Sequence, residues 1–109
     1  MEPITPTGPC PLCGAPRPYM ERYPDAVCRA CVARTADPAT GRPVGIYNTS
    51  ILGTGVIAFY EDVDAADPGR EAPLEERDYG LVAAIDGRAV LCREHRFGGI
   101  VVQPLRSSP

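Results

Sequence analysis

The chain has 109 residues and a formal net charge of −3, from 14 acidic residues and 11 basic residues that are all arginine. This length fits one domain with a modest core, close to the size at which a metal or a cross-link often supports the fold. The acidic balance argues against a protein that holds nucleic acid by charge alone, and the longest apolar stretch, residues 51–60, is about half as long as a membrane-spanning helix.

The amino-terminal stretch "MEPITPTGP" has neither the basic region nor the apolar region of a secretory signal, and we interpret residues 1–9 as a disordered lead. We therefore expect a cytoplasmic protein with no membrane partner. The exclusive use of arginine indicates the codon bias of a GC-rich, bacterial genome. Because cytoplasmic thiols are kept reduced, a regular cysteine pattern there favours metal binding over a disulfide framework.

Four of the five cysteines form two C-x-x-C pairs, "CPLCG" and "CRAC". Thiolates are among the preferred ligands of Zn²⁺, and a C-x-x-C turn lets two sulfurs reach one ion. In the first pair Pro11 restricts φ, and Gly14 is suited to a left-handed conformation after the second sulfur. No glycine follows the second pair, whose surroundings, "AVCRACVARTA", favour a short helix with its positive dipole end near the sulfurs.

A glycine-bearing knuckle followed by a ligand pair that opens a helix resembles the treble-clef class of zinc finger, whereas two glycine-bearing knuckles would be more similar to a zinc ribbon. The resemblance covers residues 10–36 and concerns ligand spacing. It implies one structural Zn²⁺ with four ligands, which are Cys10, Cys13, Cys28 and Cys31. Four thiolates leave no open coordination position for catalysis. Redox-active disulfides are the alternative, but the βαβ pattern that accompanies a thioredoxin-like motif is absent.

Residues 42–105 are rich in β-branched and aromatic runs bounded by turn residues. Asp86-Gly87 predicts a hairpin that pairs about 80–85 with 88–92, and the last run, "IVVQPL", should return beside it. That run could also form a sheet edge that accepts a partner strand. The sequence therefore predicts a single α+β domain, 1–109, in which a small Cys₄ zinc-knuckle module (10–36) with one short helix precedes an antiparallel sheet of about five strands (42–105).

An acidic block lies at residues 61–78, with eight carboxylates and two arginines. With two prolines and a glycine inside it, this block is typical of a solvated, mobile loop. An acidic docking surface for a basic partner is the alternative interpretation.

Cys92 and His95, the only histidine, form a C-x-x-H pair. We interpret Cys92 as a small buried hydrophobic residue at a strand end and His95 as a solvated turn residue. The alternatives are a second metal role, including replacement of one of the four main ligands, or a nucleophile and its base.

For function, the sequence favours a non-enzymatic module whose zinc fixes a surface for binding another protein. The alternative is a nucleic-acid-binding finger, because the region around the cysteines is mildly basic and partly aromatic: Arg17, Arg22, Arg29, Arg34 and Arg42 with Tyr19 and Tyr23, against Glu21, Asp25 and Asp37. An enzyme ranks last, since no catalytic triad, paired carboxylates, phosphate loop or open metal site is recognisable.

Overall fold

The computed structural model describes residues 7–18, 23–51, 54–62, 70–77, 79–95 and 98–105. Within these ranges the chain forms nine strands and one helix. In chain order they are β1 (Thr7–Pro9), β2 (Pro16–Pro18), α1 (Arg29–Val32), β3 (Thr35–Ala36), β4 (Val44–Tyr47), β5 (Ile57–Tyr60), β6 (Glu76–Arg77), β7 (Gly80–Ile85), β8 (Arg88–Glu94) and β9 (Ile100–Pro104).

The strands make three antiparallel sheets. The largest has the order β3-β7-β8-β9, and β6 also pairs with β7. The hairpins β1-β2 and β4-β5 form the other two sheets. Strand β1 begins inside the segment predicted to be a disordered lead, of which residues 1–6 lie outside the described ranges.

The predicted α+β class is wrong, because nearly all of the regular secondary structure in the described residues is β and the one helix there has four residues. The flanks of α1 are held by the sheet, which limits it to one turn. Before it, the Val27 N–H donates to the Val102 carbonyl of β9 (2.8 Å), and after it Thr35 pairs with Ile85 of β7. None of the described residues belongs to a helix that is long and apolar enough to span a membrane.

The large sheet also takes its strands from places other than those predicted. It includes β3, from the cysteine region, and the short β6, whereas β4 and β5 pair only with each other among the named strands. The hairpin predicted from Asp86-Gly87 is confirmed. Ile85 pairs with Arg88, and Asp86 and Gly87 have φ of 51° and 81°, as a type I′ turn requires.

One hydrophobic core lies between the cysteine region and the large sheet. It joins side chains of β7, β8 and β9 to three of the paired cysteines, and its buried members are Cys10, Val27, Cys28, Cys31, Ala83, Ile85, Val90, Cys92 and Val102. The cysteines are therefore part of the main core and do not form a separate lobe.

A second core lies under the β4-β5 hairpin and contains Val44, Ala58, Tyr60, Ala72 and Leu81. Part of the acidic block belongs to it. The Ala72 N–H donates to the Ala58 carbonyl (2.9 Å), and residues 76–77 form β6, so residues 70–77 run along β5 and β7 with mostly exposed side chains. Residues 63–69 and 78 of the block lie outside the described ranges.

Gly80, the first residue of β7, lies too close to β8 for any larger side chain. A Cβ atom there would come within 2.6 Å of the backbone carbonyl oxygen of Cys92. We expect Gly80→Ala to lower the free energy of unfolding by about 1–3 kcal/mol, the usual cost of overpacking. Gly45→Ala is the matched control, because its Cβ would meet only the Glu61 and Tyr47 side chains, which can rotate away. Urea denaturation of both variants measures this, and equal losses would contradict the steric argument.

A buried polar network ties the loop after β3 to β5. The Tyr60 hydroxyl donates to the Asp37 carboxylate (2.5 Å), the Ala39 N–H donates to the same carboxylate (2.8 Å), and the Arg42 guanidinium lies 3.8 Å from the centre of the Tyr60 ring. Burial by itself raises the pKa of Asp37, but these hydrogen bonds outweigh it, so the pKa lies below its ordinary value.

A carboxylate whose pKa is lower in the folded state stabilises the fold above its unfolded pKa, about 3.9, and loses that contribution as the pH falls toward the folded value. Because Tyr60→Phe removes one donor, we expect it to cost about 1–3 kcal/mol at neutral pH. The difference from the unsubstituted chain should narrow as the pH falls from about 3.9 toward the lower pKa that Asp37 has in the folded state. Tyr47→Phe, at a half-exposed ring, is the control. A difference that stays constant from pH 7 down to the lowest pH at which both chains remain folded would contradict this assignment.

Candidate metal centre

The first cysteine pair lies at the tip of the β1-β2 hairpin. The Cys10 N–H donates to the Ala15 carbonyl (2.8 Å), and the Gly14 N–H donates to the Cys10 carbonyl (2.8 Å). Gly14 has φ of 77°, the left-handed conformation predicted for it. This tight turn brings the sulfurs of Cys10 and Cys13 close together, with Cys10 buried and Cys13 exposed.

The second pair lies on α1. Cys28 is the extended residue that precedes the helix, and Cys31 lies within it with no exposed surface. The backbone before the pair runs along β9, where the Val27 N–H bonds to Val102 and the Gln103 side-chain amide donates to the Asp25 carboxylate (2.6 Å). Residues 25–27 therefore cover the middle of the β9 edge, where the sequence suggested that a partner strand could pair.

The four sulfur atoms of Cys10, Cys13, Cys28 and Cys31 all lie within 4.8 Å of one another. Two of the separations are 3.9 Å, between Cys10 and Cys31, and 3.6 Å, between Cys13 and Cys28. Zn–S bonds of about 2.3 Å in a tetrahedron require sulfurs about 3.8 Å apart. A disulfide requires about 2.05 Å, so the cysteines are free thiols, and their sulfurs lie close enough together to bind one ion.

Backbone N–H groups point at two of these sulfurs. Leu12 and Cys28 donate to the Cys10 sulfur (3.5 and 3.4 Å), and Ala15 donates to the Cys13 sulfur (3.5 Å). Such N–H···S contacts are the knuckle pattern expected from C-x-x-C, and they favour the thiolate over the thiol.

The pKa values of the Cys10 and Cys31 thiols are shifted in opposite directions. Burial raises the pKa of Cys10, but N–H donation from Cys28 and Leu12 outweighs it, so the pKa lies below the ordinary thiol value. Burial also raises the pKa of Cys31, and the neighbouring sulfurs raise it further. The cluster therefore resists full ionisation by itself. A divalent cation among the sulfurs reverses this, because it pairs with every thiolate and displaces the protons.

Cys92 and His95 stand apart from this donor set. Cys92 has no exposed surface, and burial raises its pKa to about 12, as expected for an inert core residue and not for a nucleophile. The half-buried His95 ring lies 4.9 Å from the Tyr23 ring, between centroids. In the described part of the chain, the metal-ligating group contains the four paired cysteines without either residue.

Sequence reasoning missed the side chain that contacts the cluster from outside. Arg34, counted above only as part of a basic face, donates to the Cys31 sulfur (3.3 Å). The available signal was its position three residues after a cysteine on a predicted helix, where side chains share a face.

The chain matches no protein-family model, no curated protein and no solved structure. The functional interpretation therefore depends on the chemistry of the four-sulfur cluster and on what surrounds it.

Proposed function

We propose that this chain is a small cytoplasmic zinc protein, in which one structural Zn²⁺ bound by Cys10, Cys13, Cys28 and Cys31 fixes a surface for binding another protein. The observation that carries the zinc assignment is the spacing of the sulfurs, 3.6–3.9 Å for two of their pairs, close to that of a Zn–S tetrahedron. Thiolate donors select Zn²⁺ over Mg²⁺ or Ca²⁺, which prefer oxygen.

A structural role fits this donor set better than a catalytic one. Four sulfurs complete a tetrahedral shell, so substrate or water has no position to occupy. Three of the four cysteines are buried in the main core beside Ile85 and Val90. When bound, the ion supplies two positive charges and fixed bonds that hold both cysteine pairs against the sheet.

Among zinc fingers, the arrangement departs from the treble-clef resemblance at the second cysteine pair. The treble-clef resemblance depended on a helix opened by the second pair, but α1 is one turn long and leads directly into β3. The first pair lies at the tip of a β-hairpin, and the second lies at a one-turn helix that leads into a strand of the large sheet.

The engagement of the arginines supports a protein partner over nucleic acid. Arg17 is buried and donates to the Pro24 carbonyl, while Arg34 and Arg42 form ion pairs with Asp86 and Asp62. Arg34 and Arg42 are therefore paired with carboxylates and Arg17 is withdrawn from the surface, which weakens the basic face that phosphate binding needs.

Cobalt titration of the reduced, metal-free chain tests the metal assignment. We expect ligand-field and charge-transfer absorption typical of tetrahedral cobalt thiolate that saturates at one Co²⁺ per chain, and displacement of the cobalt by one Zn²⁺. Weak octahedral absorption, or saturation at another ratio, would refute a four-cysteine site.

Affinity capture from the source organism, followed by binding measurements on the purified partner, tests the interaction role. We expect a protein that binds the zinc-loaded chain and loses at least tenfold in affinity for the chelated chain. Strong retention on nucleic acid with a steep salt dependence would instead favour the nucleic-acid alternative.

A further inference from the structure

Arg34 connects the cysteine cluster to the turn between β7 and β8 of the large sheet. One terminal nitrogen, Nη2, lies 3.3 Å from the Cys31 sulfur and 3.0 Å from an Asp86 carboxylate oxygen, and Nε lies 3.2 Å from both Asp86 oxygens. The other terminal nitrogen donates to the Ala30 carbonyl of α1 (3.2 Å). Every nitrogen of the guanidinium group therefore has an acceptor.

Asp86 is held in place by the chain fold. It is the first of the two central residues of the type I′ turn between β7 and β8, with φ of 51°. The turn therefore presents its carboxylate beside α1, although 52 residues separate it from Arg34. Because aspartate and asparagine tolerate this left-handed conformation better than most side chains, the turn and the ion pair favour the same residue type.

A Zn²⁺ with four thiolates carries a net charge of −2. Cys31 has no exposed surface, so part of that charge would lie in the core, where a charge needs a partner or strong hydrogen bonds. The N–H groups of Leu12, Ala15 and Cys28 supply neutral donors. Arg34 supplies a full positive charge at hydrogen-bond distance from the most deeply buried sulfur.

We propose that Arg34 is a positioning residue for the zinc centre, held by Asp86, that stabilises the Cys31 thiolate and slows the loss of the metal. This inference rests on the proposed zinc site and adds to it a group outside the ligand set. Outer-shell partners of metal ligands commonly change metal affinity by about 10–100-fold. The Arg34–Asp86 pair also makes the β7-β8 turn part of the centre.

The test is the rate at which the zinc-loaded chain releases its metal to a chromophoric chelator at neutral pH. We expect Arg34→Gln to release zinc at least 10-fold faster, Asp86→Asn to be intermediate, and the double variant to match Arg34→Gln, because Asp86 acts through Arg34. Arg42→Gln is the matched control: it breaks the similar Arg42–Asp62 ion pair (3.1 Å) without removing a contact to sulfur, and we expect no change in its release rate.

A second readout distinguishes a contact with sulfur from a general loss of stability. In the cobalt-loaded chain, loss of a hydrogen bond to one thiolate should shift the sulfur-to-cobalt charge-transfer band to lower energy in Arg34→Gln but not in Arg42→Gln. Arg34→Lys keeps the charge without the planar guanidinium group. We expect it to release zinc more slowly than Arg34→Gln and faster than the unsubstituted chain.

The outcomes separate this inference from the proposed function. If the unsubstituted chain binds zinc and Arg34→Gln releases it no faster than Arg42→Gln, with an unshifted cobalt band, the role of Arg34 is refuted while the zinc site stands. If the unsubstituted chain binds neither metal, the zinc site fails and the role of Arg34 fails with it.

Discussion

Removal of the metal at neutral pH is expected to unfold the core around the cysteines, including much of the large sheet. Apparent zinc-binding energies of about 10–16 kcal/mol in zinc-finger peptides exceed the usual stability of a small domain, about 5–15 kcal/mol. Cys10, Cys28 and Cys31 share one core with Ile85 and Val90 of the large sheet. Loss of the ion therefore leaves thiolates that repel one another, or protonated thiols, in the core that stabilises this sheet.

Chelation followed by circular dichroism and amide exchange measures this effect. We expect exchange protection to be lost at residues 28–36, and also at 82–85 and 90–92 of β7 and β8. The β4-β5 hairpin, which packs in the second core, provides the internal control and should lose less protection. Unchanged protection at residues 28–36 in metal-free protein would contradict the prediction.

Replacement of a single ligand should have nearly as large an effect. We expect Cys31→Ser to abolish stoichiometric zinc retention during dialysis, because three thiolates and a hydroxyl bind Zn²⁺ far more weakly than four thiolates. The buried hydroxyl would also lie in the apolar core beside Val90, which adds a cost of about 1–3 kcal/mol. Metal content measures the loss of zinc, and the midpoint of thermal unfolding measures the loss of stability.

Cys92→Ala is the matched control for Cys31→Ser, because both cysteines are fully buried in the same core. We expect it to retain one zinc per chain and to lose about 1 kcal/mol of stability from the volume removed. Loss of zinc from Cys92→Ala would instead support the alternative in which Cys92 replaces one of the four ligands.

The sequence was informative where one local rule decides the geometry. The two C-x-x-C pairs correctly predicted which cysteines converge. A turn of four residues is enough to place two thiolates where they can reach one ion. Gly14 and Asp86-Gly87 were predicted correctly for a similar reason: a left-handed backbone tolerates few residue types.

The sequence was misleading where tertiary contacts outweigh the local preference for a helix or strand. The helix predicted over 26–36 is reduced to four residues because Val27 and Thr35 are drawn into backbone pairing with β9 and β7. Short segments have weak intrinsic helix stability, so such contacts prevail. Membership of the large sheet was missed for the same reason, since the two-residue strands β3 and β6 carry almost no periodicity to detect.

The role of Arg34 could not have been read from the sequence. Its partner, Asp86, lies 52 residues away, and only the folded sheet places the β7-β8 turn beside α1. Long-range ion pairs of this kind depend on topology, which neither charge counting nor residue spacing predicts.

Elemental analysis of the freshly purified, reduced chain is the most direct test of a single zinc bound by four sulfurs. We predict one Zn per chain, retained after dialysis against zinc-free buffer and absent from Cys31→Ser prepared in parallel. A reduced chain that folds normally and contains no stoichiometric transition metal would contradict the account.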